Sequence, residues 1–429
     1  MNLYQLNQLN DRKIQDLCRR PKFDSETIET RVSPIIRDVR EKGDEAVRLY
    51  TRKFEGCTME ELFLDPHNLD AGLPVAQQKA VDSAMQNIYR FHREQIRGDL
   101  QVETMPGVTC MKRFRPIERV GLYIPGGSAP LPSTAMMLGI PASIAGCKTI
   151  VIATPPDRQG NIPPSIVYVA RKIGAAGILA AGGAQAVAAM AYGTETVPKT
   201  DKIFGPGNQY VTAAKMMLQN SDAMVSMDLP AGPSEVLVIA DNGAEPSFVA
   251  ADLLSQAEHG PDSQVVLIAV NGFDIQKLRQ ELTRLLEKLP RAVITKKALE
   301  NSFILEAGNV DRAMDFSNRY APEHLILNLE NPEKWIDRVE HAGSVFLGRN
   351  TPESLGDYAS GTNHTLPTYG YARMYSGVSL DSFQKSITFQ TASEEGLQTI
   401  GPTVETLAEM EGLDAHKLAV SIRLKKLTI

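Results

Sequence analysis

The chain has 429 residues, too many for one simple core, so two or more structural units are expected. A hydrophobic content of 43%, a charged content of 22% and a formal charge of −6 fit an ordinary soluble globular enzyme, with no basic footprint for nucleic acid. The first residues, Met1-Asn2-Leu3-Tyr4-Gln5-Leu6-Asn7, lack the basic and apolar regions of a signal peptide, and no apolar run is long enough to span a bilayer. Cys18, Cys57, Cys110 and Cys147 stand singly, which reads as reduced thiols in a cytoplasmic protein. Any metal site here must therefore use His, carboxylate and amide ligands.

The first hundred residues read as helical. Ser25 before Glu26-Thr27-Ile28 is a cap signal, and Val32, Ile35, Ile36 and Val39 recur at helical spacing. Gly43 breaks that helix, Asp44 to Phe54 forms another, and a longer one runs from about Val75 to Ile96, with His92 on its surface. From Val120 the pattern changes to short apolar strands alternating with Ala-rich helices. The first series is Val120–Ile124, Thr149–Ala153, Gly177–Ala180 and Lys202–Phe204. A second follows a junction at Pro230-Ala231-Gly232-Pro233: Val236–Ala240, Val265–Ala269, His324–Leu327 and Ser344–Leu347. Continuous apolar strands joined by helices argue parallel sheets buried on both faces, so two consecutive α/β units are expected. Arg349 to Tyr375 reads as a long ordered loop, and such loops are more often functional than idle. Two helices, Val404–Met410 and Ala415–Leu424, close the chain, the last with Asp414 as its cap.

Within the second series, a helix opens after Pro246 and closes at Gly260-Pro261. Gln256 and His259, three residues apart, share one face of its end, where an imidazole and an amide oxygen suit a borderline cation such as zinc. Taken alone, that spacing is common and more often describes a solvated helix end. Pro322-Glu323-His324 sets an acid beside an imidazole just before a strand. Such a pair can act as general base and water activator, or stand as solvated polar residues at a strand end. In the long loop, Asp357 is a reasonable oxygen ligand and His364 is a second ligand or a turn residue; Glu411 and His416 lie near the start of the last helix. His67 and His341 have no companions and read as structural or exposed.

Three glycine-rich turns follow strands of the first series: Ile124-Pro125-Gly126-Gly127-Ser128, Ala181-Gly182-Gly183-Ala184-Gln185 and Gly205-Pro206-Gly207-Asn208-Gln209-Tyr210. Each precedes a helix, where backbone N–H groups favour an anion such as a pyrophosphate, and each falls at the carboxyl end of a strand. None is the Gly-x-Gly-x-x-Gly fingerprint, so an ordinary Rossmann domain is not supported, and glycines needed only for tight turns explain any one of them. Ser234 is a helix cap or a substrate contact.

Together, Gly121-Leu122-Tyr123-Ile124-Pro125-Gly126-Gly127, Ile203-Phe204-Gly205-Pro206-Gly207-Asn208, Leu254 to Gln264, Pro322-Glu323-His324-Leu325 and Gly356 to His364 closely resemble the histidinol dehydrogenase family, in order from about residue 25 to the end. The resemblance implies oxidation of L-histidinol to L-histidine through the aldehyde, with two hydride transfers to NAD, ending histidine biosynthesis. It implies zinc ligands Gln256, His259, Asp357 and His416, with zinc holding the substrate through its imidazole and amine. Glu323 and His324 match the catalytic pair: His324 takes the alcohol proton and Glu323 helps activate water. Ser234, Gln256, His259, His324, Asp357, Glu411 and His416 match substrate contacts, and Tyr123, Gln185 and Asn208 match cofactor contacts.

The implied fold is two incomplete Rossmann-like parallel-sheet domains with small helical terminal segments. Residues 1–22 form the N-terminal segment, 23–118 with 235–372 the large domain, 119–234 the NAD-binding domain and 373–429 a C-terminal segment. That last segment completes the partner's site in a homodimer of interlaced chains. A relative acting on another polar alcohol and a zinc hydrolase are the alternatives. Retention of Ser234, Glu411 and the Glu323–His324 pair speaks against the first; the three turns and the lack of a His-Glu-x-x-His helix speak against the second. Manganese or cobalt also suits such nitrogen and oxygen ligands.

Overall fold

The computed structural model describes residues 1–20, 25–126, 130–230 and 232–427. The side chain of the Ser25 cap, the Gly127-Ser128 end of the first glycine turn and Ala231 of the junction lie outside the described residues. Two compact units emerge, Met1–Glu94 with Ile117–Phe383, and Gln95–Pro116 with Gln384–Ile429.

In the larger unit the expected strands assemble into two separate sheets, each of six strands among the described residues. The first runs in the order Phe63–Leu64, Gly177–Ala180, Thr149–Thr154, Arg119–Tyr123, Lys202–Phe204 and Ser226–Met227. All its pairings are parallel except that of Phe63–Leu64. The second runs Asn2–Gln5, Phe303–Glu306, Gln264–Ala269, Glu235–Ala240, His324–Asn328 and Ser344–Leu347, parallel throughout. Every residue of Gly177–Ala180, Glu235–Ala240 and Gln264–Ala269 is buried, as apolar runs covered on both faces require. Each such Val, Leu or Ile side chain contributes roughly 1.5–3 kcal/mol by leaving water. The α/β class with parallel sheets is as the strand pattern foretells.

Several elements differ from expectation. Residues 2–5 form an edge strand of the second sheet rather than part of a helical start, paired to Phe303–Glu306, itself an apolar strand the pattern did not reveal. The helices Ser25–Lys42, Asp44–Glu55 and Val75–Arg93, expected with residues 235–372, share the apolar core of the first sheet through Ile28, Val32, Val47 and Ile88. His92, expected on a helix surface, is fully buried, with Nδ1 2.9 Å from the Ile88 carbonyl oxygen. It sits one turn beyond Ile88 and two beyond Ala84, on the face that packs. The stretch from Arg349 to Tyr375 contains the short helix Glu353–Tyr358. Asp414 is the first residue of the last helix, Asp414–Leu427, not its cap.

The smaller unit is a three-stranded antiparallel sheet, Gln384–Ala392, Val108–Pro116 and Leu100–Met105, with helices Glu394–Met410 and Asp414–Leu427. Its charged, mostly exposed strands carry no buried apolar run, so hydropathy does not mark them. Gly107 turns the Leu100–Met105 and Val108–Pro116 hairpin at φ +78°, against Ser393 and the Gly396 backbone, where no side chain fits.

Candidate active site

The two sheets of the larger unit meet at a cavity of about 660 Å³. From the first sheet come the carboxyl ends of strands, through Pro125 and the turn Pro206-Gly207-Asn208. From the second come the amino ends, through Ser234 before Glu235–Ala240, and Glu323 with His324 at the start of the adjacent strand. The same ends receive the C-terminus of helix Pro246–Ala257, which brings Gln256 and then His259. Helix Glu353–Tyr358 adds Asp357, and His364 follows it into the lining. The carboxyl-end rule thus describes one wall only; the acid–imidazole pair stands at the opposite end of its own sheet.

His324 is 3% exposed and Glu323 7%, so the pair is neither solvated nor free to turn. The Glu235 N–H donates to Glu323 Oε2 at 2.8 Å, and the Glu235 carbonyl lies 3.1 Å from His324 Nδ1, which must carry a proton there. His324 Nε2 then faces Asp357 Oδ1 at 3.2 Å. Burial opposes charge on the imidazole, yet Glu323 and Asp357 outweigh it and hold the pKa well above the usual histidine value. Burial raises the Glu323 pKa, against the pull of His324 and the Glu235 N–H. Asp357 is held below its usual range: burial opposes this, but the His324 hydrogen bond and charge prevail.

His259 opens onto the cavity yet is ringed by protein, and that enclosure lowers its pKa despite nearby Asp357. Gln256 is 1% exposed and its Oε1 has no partner in the protein. Behind it, Glu353 accepts the Ser255 hydroxyl at 2.5 Å, and burial pushes its pKa up to about 8. His364 is braced by the Asp357 carbonyl at 2.7 Å and by Thr134 Oγ1 at 3.2 Å, and burial lowers its pKa. Among the described residues, no three His, Cys, Asp or Glu side chains cluster as a metal site; Gln256, His259 and Asp357 supply an amide, an imidazole and a carboxylate to one cavity.

On the opposite wall, Asn208 caps helix Gln209–Gln219, its Oδ1 accepting the N–H groups of Tyr210 and Val211 at 3.0 and 3.2 Å. Gly205 adopts φ +121° with the Tyr123 carbonyl against the place a Cβ would occupy, so only glycine fits. Asp228 accepts the Gly205 N–H at 2.7 Å, and buried Lys215, paired with Asp228, donates to the Gly205 carbonyl. Tyr123 and Gln185 do not line the cavity. The Tyr123 hydroxyl accepts the Gly183 N–H at 3.0 Å, and burial raises its pKa to about 12. Gln185 is wholly buried with both amide atoms unpartnered. Glu411 and His416 belong to the smaller unit and are exposed. Glu235, Glu353 and the placement of His364 were beyond sequence reading. Glu235 sits where an apolar strand begins, and only its main chain touches the pair.

Fold and cavity define an α/β protein in which a buried glutamate–histidine pair faces glycine-shaped strand ends. The profile of the family described as histidinol dehydrogenase matches residues 18–424. The chain is 56% identical over 427 residues to the chloroplastic histidinol dehydrogenase of Arabidopsis thaliana, covering 99% of this chain and 92% of that one. It is 52% identical to histidinol dehydrogenase of Schizosaccharomyces pombe, covering 95% and 94%. The crystal structure of the enzyme from Elizabethkingia anophelis superposes with a TM-score of 0.96 at 50% identity, covering 100% of this chain and 99% of that one. The chain belongs to the histidinol dehydrogenase family and is an oxidoreductase of histidine biosynthesis.

Proposed function

We propose that the chain oxidises L-histidinol through L-histidinaldehyde to L-histidine with two NAD, the last step of histidine biosynthesis. The observation that carries this reading is the buried Glu323–His324 pair opening onto the same cavity as Gln256, His259 and Asp357.

The donor set fits zinc. A buried amide oxygen with no partner, as at Gln256, is costly unless something satisfies it, and imidazole nitrogen with carboxylate oxygen completes a borderline set. Gln256, His259, Asp357 and His416 would hold the ion. Bound there, zinc would supply a Lewis-acid anchor for the substrate's polar end. His416 and Glu411 are exposed on the smaller unit, and we take them from a second copy of the chain in a homodimer of interlaced chains. The stretch 119–234 is the proposed NAD-binding domain, with contacts from Tyr123, Gln185 and Asn208; the unpaired amide of Gln185 fits a polar ligand there. NAD supplies the hydride acceptor.

The chain's own residues move the protons. With its Nδ1–H held by the Glu235 carbonyl, His324 presents Nε2 to the cavity; its raised pKa makes it a strong base for the alcohol proton, one that acts only after Nε2 has lost its own proton. Glu323, its pKa raised by burial, is poised to take a proton from the water that adds to the aldehyde. Each such group contributes roughly 10²–10⁴-fold in rate. Both oxidations remove hydride from one carbon, so a single cavity serves twice when the cofactor exchanges. Ser234, Glu411 and the proposed metal ligands fix the substrate's polar end. A cytoplasmic setting agrees with the four free cysteines.

The test is NADH formation from L-histidinol before chelation, after it and after return of zinc. Two NADH per histidinol, abolished by chelator and restored by zinc, is the expected result. No NADH from histidinol with zinc present overturns the reading in favour of another polar alcohol or a hydrolase.

A further inference from the structure

The main chain of one residue, Glu235, grips both members of the pair. Its N–H donates to Glu323 Oε2 at 2.8 Å and its carbonyl meets His324 Nδ1 at 3.1 Å. Its side chain is itself locked. Arg20 reaches from the N-terminal segment and donates Nε and Nη2 to the two Glu235 carboxylate oxygens at 2.9 and 2.8 Å. The two side chains are 5% and 2% exposed. The guanidinium also lies 3.5 Å from the Tyr320 ring centroid, and the Tyr320 hydroxyl is bonded to Gln264 Oε1 at 2.7 Å. The Tyr369 N–H donates to Glu235 Oε1 at 2.9 Å, tying in the loop that lines the cavity.

A buried ion pair of this kind is a poor source of stability, because desolvation offsets its attraction. What a two-pronged Arg–carboxylate fork does supply is orientation. Here the fork anchors the Glu235 Cα between the two peptides whose carbonyl sets the His324 tautomer and whose N–H directs the Glu323 carboxylate. We propose that Arg20 and Glu235 are positioning residues for the Glu323–His324 pair, holding the chemistry in register from outside the cavity. This rests on the reading of that pair as catalytic.

The experiment compares steady-state histidinol oxidation, zinc content and thermal unfolding for the wild type, His324→Asn, Arg20→Lys, and the double variant Arg20→Met/Glu235→Leu. The double variant removes both charges, so neither is left buried alone and the fold is retained. Its kcat is expected to fall roughly 10²-fold, the loss typical of a misaligned reacting group, with KM and zinc content unchanged. Arg20→Lys keeps the charge but loses the fork, and falls between it and the wild type. A double variant that unfolds like the wild type and keeps wild-type kcat overturns the proposal. Should it not fold, Arg20→Lys decides: lowered kcat at unchanged KM supports the proposal, and unchanged kcat overturns it. Undiminished kcat in His324→Asn would instead remove the reading of the pair, and this inference with it.

Discussion

The two walls of the cavity are built from the same kind of sheet turned opposite ways. On the first sheet the cavity meets the carboxyl ends of strands and therefore the starts of helices, Pro132–Ala145 and Gln209–Gln219. Helix starts present unpaired N–H groups and a partial positive charge, which suit an anion. On the second sheet the cavity meets the amino ends of strands and the end of helix Pro246–Ala257, whose carbonyls carry partial negative charge. That wall suits a cation, and it is where Gln256, His259 and Asp357 converge. The sheets' orientation separates a neutral glycine-shaped cradle from a cluster of carboxylate, imidazole and amide side chains. The lesson is that a parallel sheet offers two chemically unlike ends, and this cavity is lined by one of each.

The sharpest test of that division lies on the charged wall. His324→Asn is expected to lower histidinol turnover by roughly 10²–10⁴-fold while keeping bound zinc, whereas His259→Asn loses zinc and turnover together. Elemental analysis beside the NADH rate checks this, and equal zinc loss in both variants would merge the roles that the comparison keeps apart.

Asp252, on the helix that forms the charged wall, has a pKa raised by burial from 3.8 to about 7. A raised folded-state pKa means the acid's contribution to stability is complete below its unfolded value and is lost as pH rises through about 7. Asp252→Asn should therefore leave stability unchanged near about pH 4 and raise it at about pH 8, by no more than about 4 kcal/mol. Thermal unfolding at both pH values decides it, and equal gains at the two would show that the acid is not what costs stability.

Behind the neutral wall, at buried Gln185 of the first sheet's side, the expected effect is smaller and its sign is split. Gln185→Leu removes two unsatisfied buried polar atoms at nearly constant volume, so stability should rise by about 1–3 kcal/mol. KM for NAD should rise several-fold at unchanged zinc content. A stabilised variant with an unmoved KM for NAD would remove Gln185 from the cofactor side.

Legibility in the sequence followed burial and local order. Strands such as Val236–Ala240 and Val265–Ala269 were readable because residues covered on both faces must be apolar without interruption. The edge strand Asn2–Gln5 and the strands of the smaller unit were not, since exposed or short strands carry no such run. The glycine turns were readable as strand ends before helices. Their pairing with a cluster at the amino ends of another sheet was not, because nothing local states which way a sheet faces. His92 and the Glu323–His324 pair show the same limit: burial of a polar side chain depends on distant partners, here Asn363, Glu235 and Asp357.

The sequence by itself determined the α/β class, the two strand series, the family motifs and the residue types able to bind a cation or move a proton. These are properties of neighbouring residues, set by periodicity and side-chain chemistry. Only the tertiary structure decided that helices 25–93 cover the first sheet, that opposed sheet ends share one cavity, and that Glu235 joins Arg20 to the pair. Those facts rest on contacts between residues far apart in the chain, where packing and hydrogen-bond satisfaction, not local preference, choose the partner.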